Sequence, residues 1–212
     1  MKLLLVLVDH IQHYEKPSGL QQFQTKKNLL RAFAGESQAR NRYTIAAGKA
    51  KKEKLQIVEQ VFRFTADQEK EHAEIFYNHL KELTGENLEI DGTYPIEVYD
   101  DALSLLKAAR HDEYEEHGNI YPAFAKVAEE EGFRAVAASF RQIAEIEKIH
   151  GDRFGRFAEL LEKGQLFESE LETSYMCLNC GYIYTGTRVP EICPVCKHDK
   201  GYFIRVEMAP YL

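Results

Sequence analysis

The chain has 212 residues, with 34 acidic against 27 basic side chains and a formal net charge of −7. That length holds one domain, or one domain with a small appendage, at about 100–200 residues per domain, and 44% hydrophobic residues exclude wholesale disorder. The acid excess excludes a nucleic-acid binder steered by its overall field, and the longest apolar run, Leu3 to Val8, falls far short of the ~20 residues that cross a bilayer.

Residues 1–24 show no clear period and contain the turn signal Pro17-Ser18-Gly19, so they read as an N-terminal extension with no assigned role. His10 and His13 lack a third ligand and read as an incidental polar pair. The run from Leu3 is also too short for a signal-peptide core, which makes a cytoplasmic location the expectation.

From Thr25, a plausible N-cap, Leu29, Leu30, Phe33, Ala34, Tyr43, Ile45 and Ala46 keep helical spacing to a turn near residue 52. A second helical run carries Leu55, Val58, Val61, Phe62, Thr65, Ile75, Phe76 and Leu80 to about Leu83, with Gly85 as its stop. Two glycines and a proline in residues 85–98 mark a crossover. A third helix is expected from about Asp100 to Glu131, kinked or short of one hydrogen bond at Pro122. Gly132 separates it from a fourth that ends near Lys163-Gly164. Glu129, Glu130 and Glu131 read as a solvated face.

Two hairpins of long helices joined by one long connection predict an all-α four-helix bundle of ferritin-like arrangement over residues 25–164. Residues 165–174 form a polar linker. The remaining 38 residues, 175–212, are rich in Tyr, Cys, Gly and Pro. A unit of that size usually needs a metal or disulfides to fold.

Two Glu-x-x-His pairs, Glu69/His72 and Glu147/His150, place both members of each pair on one helix face. Their height in the bundle gives them meaning. Glu36 lies 16 residues before the turn at 52 and Glu69 lies 17 after it, so antiparallel helices bring them level, about 25 Å from the turn. Around Gly132, Glu113 and Glu116 lie 19 and 16 residues before, and Glu147 and His150 lie 15 and 18 after. Each acid interrupts an apolar helix stripe. Facing carboxylates in a dry core repel or take up protons, and two divalent cations remove that conflict. Glu71, Glu74, Glu115 and Glu145 read as surface charges.

All four cysteines form two Cys-x-x-Cys pairs, Cys177/Cys180 and Cys193/Cys196, separated by 12 residues. The first 176 residues contain none, which excludes a disulfide scaffold. Four thiolates suit tetrahedral zinc or iron equally. Gly181 permits a tight turn after the first pair, whereas Lys197 occupies the matching place after the second.

The blocks Phe33-Ala-Gly-Glu-Ser-Gln-Ala-Arg-Asn-Arg-Tyr43, Glu69-Lys-Glu-His72, Glu113-x-x-Glu116 with Tyr121-Pro122, and Glu147-x-x-His150, followed by the four-cysteine unit, resemble rubrerythrin over about residues 25–212. The resemblance implies a non-haem di-iron peroxidase with a C-terminal rubredoxin-like domain, acting on hydrogen peroxide in oxidative-stress defence. It assigns Glu69 and Glu147 as bridges between two irons, Glu36 and His72 to one iron, Glu113 and His150 to the other, and Glu116 as an extra carboxylate that exchanges with His72. Tyr43 and Tyr121 match tyrosines that hydrogen-bond to ligand carboxylates. The same resemblance makes the metal of Cys177, Cys180, Cys193 and Cys196 an iron that relays single electrons, with zinc in some preparations.

No Gly-x-Gly-x-x-Gly is present, so an external NAD(P)H-dependent reductase or rubredoxin is expected as donor. A homodimer or higher homo-oligomer is expected, with no nucleic-acid or membrane partner. The rival reading is a ferroxidase or iron-handling bundle, against which Glu116 and the appended electron carrier argue.

Overall fold

The computed structural model describes residues 23–209. His10 and His13, most of the expected N-terminal extension and the last three residues lie outside the described residues.

Helix α1 (Gln24–Lys52) runs antiparallel to α2 (Gln56–Asn78) through a turn at Glu53–Leu55, where Lys54 takes φ 59°. Its buried stripe is built largely from small side chains, among them Ala32, Ala39, Ala46, Ala47 and Ala50. These let the two backbones approach closely, while Lys49, Lys51 and Lys52 sit in the last turn, where cations suit the helix dipole. The start of α1 differs from expectation. Phe23 holds the N-cap position and Thr25 is buried inside the helix; the Glu131 carboxylate accepts from the backbone N–H groups of Gln24 and Thr25 at 3.0 and 2.8 Å. Glu131 is therefore a cap supplied by the other hairpin and not part of a solvated face.

Helix α2 ends earlier than its apolar pattern suggested. A 3₁₀ turn at Lys81–Leu83 follows it, and Gly85 has φ 91°. The crossover then runs to α3 (Ala102–Glu115), whose first turn is capped by Asp101 accepting from Ser104 N–H at 2.8 Å.

The expected single third helix is three pieces: α3, a π-helical turn at Glu116–Ile120, and α4 (Tyr121–Glu130). Pro122 has no N–H for the carbonyl four residues back, and Tyr121 N–H bonds to the Glu116 carbonyl, five back. The wider turn absorbs the missing bond, and Pro122 stands in the first turn of α4, where it costs nothing. Helix α5 (Arg134–Glu162) completes the bundle.

The buried side chains form two apolar clusters within the bundle. One contains Tyr43, Phe62, Leu106 and Phe154; the other contains Leu29, Phe76, Tyr121 and Phe140. Along the chain Glu36 lies between Leu29 and Tyr43, Glu69 between Phe62 and Phe76, Glu113 between Leu106 and Tyr121, and Glu147 between Phe140 and Phe154. The carboxylates thus form a layer between the two clusters.

After α5, strands β1 (Glu168–Cys177), β2 (Ile183–Arg188) and β3 (Phe203–Arg205) make an antiparallel sheet in the order β2-β1-β3. Its small core holds Tyr175, Val189 and Phe203 with Cys177 and Cys193. Leu166 and Ile204 join the cluster of Phe62 and Phe154, with Met176, Leu178 and Met208 packed against it. The contact is intimate at Gly201. A Cβ there would stand 2.1 Å from the Lys54 carbonyl oxygen and 2.0 Å from Gln56 Oε1, so only glycine fits against the α1–α2 turn.

Candidate metal centres

The two Glu-x-x-His pairs meet across the bundle, one from α2 and one from α5. His72 Nδ1 lies 2.9 Å from Glu147 Oε1 and 3.1 Å from Glu69 Oε2. His150 Nδ1 lies 2.9 Å from Glu69 Oε1 and 2.9 Å from Glu147 Oε2. Each of these glutamates therefore offers one oxygen to each histidine. The rings are near parallel with centroids 5.5 Å apart.

Glu36 of α1 approaches the His72 side, with Oε1 4.0 Å from His72 Nδ1, and Glu113 of α3 approaches the His150 side, with Oε2 3.6 Å from His150 Nδ1. Tyr121 donates its hydroxyl to Glu36 Oε1, and Tyr43 donates to Glu113 Oε1 at 2.5 Å. Those hydroxyls fix the two terminal carboxylates from opposite sides. Glu36, Glu69, Glu113, Glu147 and His150 are essentially inaccessible, and His72 is nearly so.

Glu116 differs from the other four glutamates. It projects from the π turn, is only partly buried, and brings a carboxylate oxygen within 4.8 Å of those of Glu36 and Glu147. Glu113 in α3 and Glu116, three residues on, share a helix face, and the π turn returns the chain to regular helix at Tyr121. Glu71, Glu74, Glu115 and Glu145 are exposed.

The electrostatics record the crowding. Burial, then the carboxylates of Glu147, Glu116 and Glu69, push Glu36 well above the usual carboxylate range. Burial and Glu69 do the same to Glu113, and burial with Glu147 and Glu113 to Glu116. Burial acts against charge on Glu69, but hydrogen bonds from His150 and His72 outweigh it and bring its pKa down to about 2. Burial likewise opposes charge on the histidines; their carboxylate partners prevail, raising His72 to about 9 and His150 to about 12.

Glu36 Oε2, Glu113 Oε2 and His150 Nε2 have no hydrogen-bond partner despite complete burial, and the buried Glu69 Oε1 and both Glu147 oxygens face only the shared ring nitrogens of His72 and His150. Such orphans are costly in an apolar interior. A carboxylate-rich set with two imidazoles fits a pair of iron ions.

The second centre lies on the small sheet. All four Sγ atoms lie within 4.8 Å of one another, with Cys177–Cys196 at 3.7 Å and Cys180–Cys193 at 3.8 Å. A tetrahedron of metal–sulfur bonds near 2.3 Å has an edge of about 3.8 Å. Gly181 and Lys197 both take left-handed conformations, with φ 76° and 65°, and their N–H groups donate to the Cys177 and Cys193 carbonyls at 2.8 and 3.0 Å. Lys197 thus adopts the glycine geometry, and its ammonium donates to the Pro194 carbonyl at 2.8 Å. Burial raises Cys177 to about 12, whereas the His198 backbone N–H brings Cys196 down to about 6.

The family model for rubrerythrin matches residues 27–158, and the model for the rubredoxin-like domain of rubrerythrin matches residues 175–204. The chain belongs to the rubrerythrin family. Rubrerythrins of Clostridium perfringens and Porphyromonas gingivalis are each 46% identical to it, over 84% of this chain and 92% and 88% of theirs. Nigerythrin, solved in a fully reduced, all-ferrous state, superposes with a TM-score of 0.59 at 26% identity, covering 92% of this chain and 91% of that one. The expected architecture is borne out: a ferritin-like helical bundle with a small rubredoxin-like knuckle domain. The carboxylate–histidine site and the four-cysteine site match the di-iron centre and the rubredoxin-like iron of rubrerythrins. Among the described residues no helix is long and apolar enough to cross a membrane.

Sequence reasoning missed several residues around the site. Arg42 pairs with Asp112 and with Glu97 Oε2 at 2.7 Å, tying α1 to α3 and to the crossover. Arg153 Nη1 donates to Thr65 Oγ1 and Gln68 Oε1, each at 2.8 Å. Arg42 and Asp112 stand next to Tyr43 and Glu113 in sequence, which was the one available signal. Glu97 carries none.

Proposed function

We propose that this rubrerythrin-family chain is a peroxidase that reduces hydrogen peroxide to two waters, consuming two electrons and two protons. The observation that carries the reading is that Glu69 and Glu147 each direct one oxygen to His72 and the other to His150. That sharing would suit Glu69 and Glu147 to serve both irons of a bound pair. Glu36 with His72 would hold one iron and Glu113 with His150 the other. A bound iron pair supplies electrons and Lewis acidity for cleaving the O–O bond.

The chain's own residues do the rest. Tyr43 and Tyr121 hold Glu113 and Glu36 in place through their hydroxyls. Glu116, whose pKa is raised by burial and by Glu147, holds a proton at its carboxyl next to Glu36 and can pass it to departing oxygen. The apolar clusters on either side exclude bulk water.

Cys177, Cys180, Cys193 and Cys196 would hold the iron that returns electrons one at a time from a rubredoxin or an NAD(P)H-dependent reductase. Transfer between subunits of a homodimer, in the cytoplasm, completes the proposal.

The test is to load the chain with iron, reduce it, add hydrogen peroxide and follow the visible spectrum. Rapid oxidation, followed by repeated turnover when a reductant is present, is expected. Absence of peroxide-dependent oxidation would overturn the reading. Replacing Glu116 with alanine should lower the rate of oxidation by roughly 100-fold while leaving the iron stoichiometry unchanged.

A further inference from the structure

A cavity of about 290 Å³ lies beside the carboxylate site, between α1, the π turn with the start of α4, and the crossover. Its inner wall includes Glu116 and Tyr121, and its outer wall includes Gly92 to Pro95. Residues 91–97 cross this space as a strap fastened at both ends. Arg31 Nε donates to the Asp91 carbonyl at 2.9 Å, and Arg42 pairs with Glu97 Oε2 at 2.7 Å. Between these fastenings Tyr94 turns inward and donates its hydroxyl to the Arg31 carbonyl at 3.1 Å.

Two groups in the lining make this more than an empty space. Gln38 and Arg42, one helical turn apart on α1, both line the cavity, and each keeps a buried polar atom without a partner: the acceptor Gln38 Oε1 and the donor Arg42 Nε. A hydroperoxide presents the complement, one O–H donor with adjacent acceptor oxygens. About 10–15 Å³ of such volume suffices for one water, so the chamber exceeds the needs of hydrogen peroxide several times over. Its volume alone would therefore admit hydroperoxides larger than hydrogen peroxide, and any limit on size must come from a side chain that narrows the way to Glu116. Tyr94 is placed to do so.

We propose that peroxide reaches the carboxylate site through this cavity, with Gln38 and Arg42 as its polar contacts and Tyr94 as the residue that sets the largest hydroperoxide admitted. The inference rests on the peroxidase reading. A hydroperoxide ROOH entering here would take two electrons from the reduced iron centre and two protons, giving ROH and water.

The test uses the full chain, loaded with iron and reduced, mixed rapidly with hydrogen peroxide or tert-butyl hydroperoxide. Tyr94→Ala opens the chamber and should raise the ratio of the tert-butyl to the hydrogen peroxide rate constant by roughly tenfold. Ala123→Phe, from the lining of α4, fills the chamber and should lower both rate constants, the bulkier substrate's by the larger factor. In both variants the iron content, the visible spectrum and the rate of reduction by donor should match the parent, and Co(II) should bind the metal-free chain with unchanged affinity. In steady state the changes should appear in kcat/KM. A ratio within twofold of the parent in both variants overturns the passage. Failure of the parent itself to react with hydrogen peroxide overturns the peroxidase reading, and the passage with it.

Discussion

Glu131 performs for α1 what serine or aspartate does at most helix starts, yet it belongs to the loop before α5. Thr25 has the right side chain for a local cap, and local propensity pointed there. The carboxylate arriving 106 residues later supplies two acceptors, and Thr25 becomes buried instead. Replacing Glu131 with alanine should cost about 1 kcal/mol in urea unfolding, in the range of lost helix caps. Hydrogen bonds from Thr25 and Gln24 hold the Glu131 pKa below its ordinary value despite some burial. That contribution is present above the unfolded carboxylate pKa and is lost as pH falls through the lowered one. Lys197 is the converse case, since its departure from glycine was legible and its left-handed backbone follows. Lys197→Gly should raise the melting midpoint of the four-cysteine unit, by roughly 0.5–1 kcal/mol of relieved backbone strain.

Among the elements, the level placement of the glutamates could be read from residue counts because the helical rise is constant. Two turns, near 52 and at Gly132, sufficed to register four helices. The break within the third helix could not be placed in the same way. Pro122 announced a missing hydrogen bond, but whether the chain kinks, shifts or widens depends on what packs against it. Here the Glu116–Ile120 π turn inserts the equivalent of one extra residue. Deleting Gly118 should restore regular helix and rotate Glu116 relative to Tyr121 by about one residue's turn. The expected outcome is slower oxidation by peroxide with iron stoichiometry and helix content unchanged, measured by rapid mixing, iron analysis and far-ultraviolet circular dichroism. Partners joined through space, such as Arg42 with Asp112 and Glu97, left no periodic trace because ion pairing between elements has no fixed spacing.

At the level of the whole molecule, the metal-free site should act as a reservoir of protons. Glu36, Glu113 and Glu116 are raised, His72 lies at about 9 and His150 at about 12. The folded metal-free chain therefore binds more protons than the unfolded chain between about pH 5 and 9, and its stability falls as pH rises through that window. Glu69, down at about 2, acts in the opposite direction only below its ordinary value of 4.5, and Cys196, down at about 6, opposes the trend within the window as one group against five. Thermal unfolding of the metal-free chain should show a higher midpoint at pH 6 than at pH 8.5, and metal loading should flatten the difference. Metal uptake should release protons and tighten as pH rises, as titration calorimetry in buffers of different ionisation enthalpy would show. The four-cysteine unit should respond separately to a chelator, because its small core depends on the metal while the bundle has two large apolar clusters of its own.

The carboxylate layer between those clusters also has a mechanical meaning. Each apolar block is held by its own aromatic contacts, Tyr43 with Phe62 and Phe154 below the layer, and Phe76 with Tyr121 and Phe140 above it. The metal-free bundle is then two stiff drums joined at a charged waist, where fluctuations concentrate. Iron acts as a rivet through that waist. Backbone amides near Glu69 and Glu147 should gain protection from hydrogen exchange when metal binds, while those near Phe62 and Phe140 should change little. On that account the centre that carries out the chemistry is also the joint that couples the two halves of the fold.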